Sequence, residues 1–452
     1  MSKKSICFVA NYEKTLLFEK VANKLVDFNI FWVTVNKALY KHLLKNYPEK
    51  TVLLIDKDSI LEINDSTFST SKYKLNEIWI GDRVLKHEKW GQKYLSNLSG
   101  VYYNFISKNN IDFIFGEQTW AHELLINRIS YLNEELNCKC LSMDAIRMPG
   151  GRFSFFQDEY GLEFLTPFPS ENEWEDKPLL EPKKPDYLAL NDKLQDERSR
   201  LPFFIDKLKY FFTERIHESH DPTKPDSYWR AFTGFLKYYI NKNQYAWFVK
   251  ELQKKDLENK KFVLFTLHKQ PESSIDNSGR YYENQHEIIK NIWRIIPEDT
   301  LLIVKEHSNA IGDRNLAYYN EISKYKNVEF INYKEDSYSL IKMAQAVFTI
   351  SGTVAYEAPL MNTPSFTFIP IFFNNLSLSR HINFDILRDP KTCLDSLINS
   401  VKYNKENDQK YTNWIYANSF EGIISDYISN PKCMEDENVD NLVNAIKIII
   451  SK

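Results

Sequence analysis

Glycine is scarce in this chain, 12 residues of 452, which speaks against flexible arms and for well-packed helices and strands. The turn after the first apolar run, Asn11-Tyr12-Glu13, has no Gly-x-Gly pattern, so a dinucleotide fingerprint is absent there. Cysteine is thin too: five residues (Cys7, Cys138, Cys140, Cys393, Cys433), odd in number and scattered. Cys138 and Cys140 stand too close for the usual zinc knuckle and have no matching second pair, so no metal site is expected. Free thiols in a reducing cytoplasm are the simplest account. No apolar stretch reaches the roughly eighteen residues that a membrane span needs. The apolar run behind Met1-Ser2-Lys3-Lys4-Ser5 is too short to suggest a secretory signal. Net charge is -3, which leaves no global positive field to gather nucleic acid.

What is present describes a soluble globular chain: 43% hydrophobic, 26% charged and 15% aromatic. The length exceeds one ordinary core, so two domains are expected. Short apolar runs at Ile6–Ala10, Ile30–Val33, Val52–Ile55, Ile111–Phe115 and Cys140–Met143 alternate with helical spacing at Leu16–Val26, Ala38–Leu44, Leu75–Leu98 and from Gln118 to Leu132. That alternation predicts a parallel sheet. Arg147 to Phe153 has the turn chemistry of a loop. A Pro- and Glu-rich stretch, 166–185, marks the edge of a first domain, 1–185. A helical connecting segment follows at 186–255, then a second α/β domain at 256–375. Helical patterns close the chain at 376–452, with the option of packing back on the first domain. No internal repeat stands out.

The second α/β stretch shows the most chemistry. Phe262–Leu267 breaks at His268-Lys269-Gln270-Pro271-Glu272, and Leu301–Val304 ends in Lys305-Glu306-His307. Ala346–Ile350 ends in Ser351-Gly352-Thr353 and enters a helix carrying Glu357. Open α/β sheets hold ligands in the crevice beyond such strand ends, so the stretch reads as a nucleotide-sugar-binding half-domain. Lys305 and His307, two residues apart, can lean to one side and neutralise a leaving phosphate; a solvated Lys and a hydrogen-bonded His are the plain alternative. Ser351-Gly352-Thr353 permits close backbone approach to an anion, or is simply a helix cap. Glu357 suits a ribose diol, or a solvated helix face. His268, Gln270 and Glu272 suit a base and sugar, or a capping loop. Tyr281 and Tyr282 are either a stacking platform or core.

In the first half, Glu117 stands at the carboxyl end of an apolar strand, beside a Gly and a helix start. It is the candidate for acid–base or nucleophilic work, with a dipole-favoured helix-start carboxylate as the alternative. Arg147 and Arg152 flank the Gly150-Gly151 turn and could fork onto a carboxylate or phosphate. His217, His220 and Asp221 match no familiar metal spacing and read as a solvated loop.

Taken in order, His268-Lys269-Gln270-Pro271-Glu272, Val304-Lys305-Glu306-His307 and Ile350-Ser351-Gly352-Thr353 through Glu357-Ala358 resemble the motifs of bacterial capsular polysaccharide synthesis proteins. That family includes transferases for Kdo and for nonulosonic acids such as pseudaminic acid. Where it usually has His-Pro, this chain has His307-Ser308. The resemblance covers most of Phe262 to Phe368 and short patches upstream. It implies a GT-B fold, with two Rossmann-like halves facing across a cleft and added helices in the middle and at the C-terminus. It implies a CMP-activated acidic sugar as donor and no further cofactor. Lys305 and His307 would lie at the donor phosphate, Ser351 and Thr353 beside it, and Glu357 on the ribose. The expected activity is transfer of a 3-deoxy ulosonic acid to a surface or lipid-linked glycan, with retention favoured. A UDP-sugar-dependent hexosamine transferase or epimerase of the same fold, and a non-catalytic glycan-binding component of capsule assembly, are the competitors. The aromatic-basic helix from Trp229 to Lys250 is a candidate for peripheral contact with the inner face of the inner membrane.

Overall fold

A computed structural model describes residues 3–63, 68–168, 174–183, 205–206, 208–210 and 220–451. The sequence expectations that fall on His217 and on much of 186–219 lie outside these residues. Two compact units form. The first collects Met1–Leu165, Lys183–Ala231 and Asn418–Lys452, and the second Thr166–Pro182 and Phe232–Ala417.

The first unit is built on β1 (Ser5–Ala10), β2 (Asn29–Thr34), β3 (Val52–Leu54), β4 (Phe113–Gly116), β5 (Lys139–Ala145) and β6 (Arg152–Phe156), with a late strand, β14 (Phe420–Glu421). Their order in space is β3-β2-β1-β4-β5-β6-β14. β1 to β5 run parallel; β6 is antiparallel to β5, and β14 to β6. The second unit holds β7 (Glu251–Leu252), β8 (Phe262–Thr266), β9 (Leu301–Lys305), β10 (Val328–Ile331), β11 (Val347–Thr349), β12 (Ser365–Thr367) and β13 (Ser379–His381). These pair in parallel, in the order β7-β10-β9-β8-β11-β12-β13. Each sheet contains the 3-2-1-4-5-6 strand order of a Rossmann fold. The chain is therefore α/β with two Rossmann-like domains: the alternation of runs predicts the parallel sheets, and the resemblance implies the two Rossmann-like halves. The strand order reverses between β1 and β4 in one unit and between β8 and β11 in the other.

Apolar side chains explain why the sheets form. All six residues of β1 are buried, as expected of a central parallel strand covered on both faces. The Phe8 ring lies 5.3 Å from Trp32 and 5.9 Å from Phe115. Each such side chain contributes about 1.5–3 kcal/mol on full burial. With glycine scarce, asparagine takes left-handed backbone positions at Asn110, Asn137, Asn259, Asn327 and Asn362, because its short polar side chain tolerates that region best after glycine. Asn36, Asn284, Asn315 and Asn383 cap helix starts with their side-chain oxygens.

Several local expectations are corrected. Leu75–Leu98 is two helices, Leu75–Gly81 and Gly91–Asn109. Between them the Asp82 carboxylate accepts from Val84 N and Leu85 N, both at 2.8 Å, and turns the chain. β6 begins inside the stretch read as a loop, and within 376–452, read as helical, the helix Lys405–Ala417 is followed by the strand β14. Residues 376–417 go with the second unit, whereas the final helix, Asp436–Ser451, joins the first unit's core through Val439, Leu442 and Ile446. Asp221 is not part of a solvated loop. It is 1% exposed and accepts from Thr223 N at 2.9 Å, Thr223 Oγ1 at 2.6 Å and Asn36 Nδ2 at 3.2 Å.

Candidate functional site

In the second unit, the carboxyl ends of β8 and β11 meet at the reversal of strand order. His268, two residues past β8, is buried, and its Nε2 lies 2.9 Å from Thr349 Oγ1 and 3.4 Å from Ser351 N. Thr349 Oγ1 in turn accepts from Gly352 N at 3.2 Å. Burial, with His307 and Arg314 nearby, pushes the His268 imidazole down to about 3. In a neutral ring Nε2 accepts from both the Thr349 hydroxyl and the Ser351 amide, which places the proton on Nδ1. Gly352 is required by space: a Cβ there would stand 2.7 Å from Thr349 Oγ1 and 3.4 Å from His268 Cε1. Ser351 Oγ donates to Ser274 O at 2.7 Å, which ties the turn to the loop after β8.

That loop is closed on itself. Gln285 Oε1 accepts from His268 N at 2.7 Å, while Gln285 Nε2 donates to His268 O at 3.1 Å. Asp276 receives Gln270 Nε2 and Glu272 N, both at 3.0 Å. Gln270 and Glu272 are thus engaged in shaping the loop. Tyr282 packs in the core against Phe368 and Phe384, with centroids 5.9 and 5.1 Å away, so its reading as a ligand platform is withdrawn. Tyr281 is exposed.

Behind β9 lies a network that sequence reasoning missed. The Glu306 carboxylate is fully buried and accepts from Arg314 at 2.7 Å, Tyr319 Oη at 2.8 Å and His307 N at 2.8 Å. Arg314 also donates to His268 O, so one guanidinium joins the ends of β8 and β9. His307 Nδ1 accepts from Asn309 N at 3.1 Å, which assigns the proton to Nε2. Burial, together with Lys269, Lys305 and Arg314, holds this imidazole down to about 4. It is a neutral hydrogen-bond donor near pH 7. Lys305 departs from expectation: its Nζ is spent on Tyr333 O at 2.8 Å, and the residue is 9% exposed. Burial lowers its pKa, while Asp336, Glu251 and Glu306 pull it back up. Its charge acts from within the protein. Ser351, Gly352, Thr353 and Glu357 are half-buried along the β11 turn and the helix Val354–Leu360.

In the first unit the corresponding strand ends are those of β1 and β4. Gly116 passes close to Val9, where a Cβ would stand 3.1 Å from Val9 Cβ. Glu117 follows and forms an ion pair with Lys14. Burial lowers the Lys14 pKa, against the pull of Asp144, Glu123 and Asp426. Beside this pair, Glu123 is buried in the first turn of Ala121–Leu132. It accepts from Thr119 N and Trp120 N at 2.9 Å and from Asn11 Nδ2, while Asn11 Oδ1 lies 3.2 Å from His122 Nε2. Burial raises the Glu123 pKa, and the Trp120 and Thr119 amides hold it down. Asn11, Lys14 and Glu123 were legible only as residues flanking the strand ends. Arg147 sits at φ 69 in the turn before β6. Arg152 departs from its expected role: its guanidinium donates to Ser419 Oγ at 2.8 Å and to Ser419 O, with Glu421 at 3.4 Å, and fastens the last strand. Among the described residues no cluster of His, Cys, Asp or Glu could hold a metal ion.

No family model matches this chain, and no curated protein does. Among solved structures it is similar to a beta Kdo 2,7 transferase structure of Thermosulfurimonas dismutans KpsC, at 9% identity and a TM-score of 0.37, covering 100% of each chain. A beta Kdo 2,4 transferase structure of KpsC from the same organism shows 13% identity and a TM-score of 0.32, over 74% of this chain and 86% of that one. The UDP-GlcNAc 2-epimerase of Methanocaldococcus jannaschii, in complex with UDP-GlcNAc and UDP, shows 12% identity and a TM-score of 0.28, over 92% and 99%. Likenesses at this level decide nothing, and the fold rests on the two strand orders.

Proposed function

We propose that this chain is a metal-independent GT-B glycosyltransferase, moving a 3-deoxy ulosonic acid from its CMP ester to a capsular or other surface glycan. The observation that carries the reading is the closed corner of His268, Thr349, Ser351 and Gly352 at the strand-order reversal of the second unit, with the His307 imidazole held as a neutral donor. In this reading the corner and Glu357 hold CMP. His307 Nε2–H bonds a phosphate oxygen, and Lys305 and Arg314 favour the charge that gathers there as the C2–O bond breaks. The first unit supplies Glu117, whose pairing with Lys14 favours the carboxylate, the form a nucleophile needs. Attack by Glu117 on C2 expels CMP. The acceptor hydroxyl then displaces Glu117, which leaves as carboxylate, and passes its proton to the phosphate of the departed CMP; two inversions retain the configuration. Arg147 is assigned to a substrate carboxylate.

A cytoplasmic site at the inner membrane face fits the helix Tyr228–Phe248. Trp229, Ile240 and Trp247 are exposed, and between Tyr228 and Lys250 there are four Lys or Arg and no Asp or Glu. Among the described residues no helix is long and apolar enough to cross a membrane.

Thermal-shift titration with CMP, CDP and UDP tests the donor, because only a ligand favouring the native state raises the midpoint. CMP is expected to stabilise the chain and UDP is not; stabilisation by UDP alone would turn the reading toward UDP-sugar chemistry, and by none toward a non-catalytic role. Glu117→Gln is expected to bind CMP normally and to transfer nothing.

A further inference from the structure

Arg83 has a half-buried side chain whose guanidinium carbon lies 4.4 Å from the centroid of the Trp120 ring. Among the described residues it makes no hydrogen bond and no ion pair, in a chain with 61 carboxylate side chains against 58 Lys and Arg. Its position is imposed by its neighbour. Asp82, 4% exposed, spends one carboxylate oxygen on Val84 N and Leu85 N, at 2.8 Å each, and the other on Ala121 N at 2.9 Å. That clamp fixes the Arg83 backbone against the first turn of Ala121–Leu132, whose preceding residue is Trp120. Asp82 therefore has no oxygen directed to its own neighbour's guanidinium, and Arg83 rests on the indole instead.

Trp120 is also one wall of an aromatic corner. The Tyr12 ring lies 6.3 Å from it at an interplanar angle of 48°. Tyr12 is held at φ 45, its hydroxyl bonded to Thr223 Oγ1, and Thr223 is fixed by the buried carboxylate of Asp221. Both rings follow the central strands β1 and β4 directly, so the corner stands at the strand-order reversal where open α/β sheets take ligands. Each ring carries a cation on one face, Arg83 on Trp120 and Lys224 on Tyr12, with its Nζ 5.3 Å from that centroid. The corner thus sets two positive groups beside aromatic carbon suited to the C–H face of a pyranose. A planar guanidinium with five donors, already stacked and with its hydrogen bonds unspent, is suited to a carboxylate by a two-bond fork.

We propose that Arg83, Trp120 and Tyr12 form a subsite of the first unit for a carboxylate-bearing sugar residue, with Arg83 selecting acidic over neutral saccharides. This rests on the reading of the chain as a glycosyltransferase, and it adds a second carboxylate partner to Arg147, in the place of Arg152, which is committed to Ser419.

The test uses the purified full chain on an array of uronate- and ulosonate-bearing oligosaccharides, each printed beside its carboxyl-reduced form. The wild type is expected to bind acidic members at least about tenfold more tightly than the reduced ones, the factor of one charge-assisted contact. Arg83→Gln is expected to erase that preference, Arg83→Lys to restore part of it, and Trp120→Ala to weaken both forms. CMP titration of the same variants reports on fold and donor binding separately. Equal wild-type binding of acidic and reduced glycans, no binding of either, or an unchanged preference in Arg83→Gln would each overturn the subsite. Loss of CMP binding in the wild type would sink the donor reading and leave the array result standing by itself.

Discussion

Replacing Arg314 by Met probes the network that joins the ends of β8 and β9. The Arg314 side chain is 9% exposed and that of Glu306 0%, so the pair is buried from both sides. Removing the guanidinium strands a carboxylate that keeps two donors, Tyr319 Oη and His307 N, each at 2.8 Å. Breaking a buried pair by deleting one partner costs about 3–5 kcal/mol, and the two surviving hydrogen bonds place this case near the lower end. The double variant Glu306→Gln/Arg314→Met leaves no buried charge and is expected to recover about 1–2 kcal/mol of the loss. Urea unfolding followed by circular dichroism, with the slope checked against wild type, measures both. Because Arg314 also holds His268 O, the single variant should lose CMP-induced stabilisation as well. A loss below about 1 kcal/mol in Arg314→Met, or a double variant no better than the sum of the singles, would refute the claim that this pair organises the strand ends.

Two further outcomes follow from the same contacts. His268 and His307 are held down to about 3 and about 4 in the fold, against about 6.5 in the unfolded chain. Their contribution to stability is whole above pH 6.5 and shrinks as pH falls toward 4, where the unfolded chain binds protons that the fold refuses. Each histidine adds a slope of about 1.4 kcal/mol per pH unit inside that window. His268→Gln should remove one such slope from unfolding midpoints measured between pH 6.5 and 4, and an unaltered profile would contradict the assignment. Arg152→Gln should loosen β14, seen as faster hydrogen exchange at Phe420 and Glu421, while CMP binding is kept. Lost CMP binding with β14 still protected would return Arg152 to the ligand.

The sheets were legible because a parallel strand buried on both faces is a nearly continuous apolar run, as at Ile6–Ala10 and Phe262–Thr266. The short strands were not. Ser365–Thr367, Ser379–His381 and Phe420–Glu421 have too few residues to show a period, and their pairing is set by the sheet they join. Helix spacing over-ran at Leu75–Leu98 because Asp82, which turns the chain through the amides of Val84 and Leu85, is held there by the amide of Ala121, 39 residues away. In the candidate site, position along the strand found His268, His307, Ser351 and Glu117. It could not find Arg314, whose relevance is a bond to a carbonyl 46 residues earlier.

Strand-end position nominates polar residues, and hydrogen-bond accounting then sorts them. Most buried donors and acceptors in a folded chain have a partner in the protein or in what it binds. Lys305 and Arg152 were nominated as ligand cations and prove to be spent, one on Tyr333 O and the other on Ser419. His268 uses its Nε2 on Thr349 and Ser351, and those bonds shape the Ser351–Gly352 turn. His307 differs, because its Nδ1 is satisfied by Asn309 N while Nε2 has no partner among the described residues. Arg83 differs in the same way, with an indole beneath it and its donors without a partner among the described residues. A held ring or fork with one face still open is what a preorganised binding group requires. On that criterion the proposed contacts with substrate centre on His307 in the second unit and on Arg83 in the first.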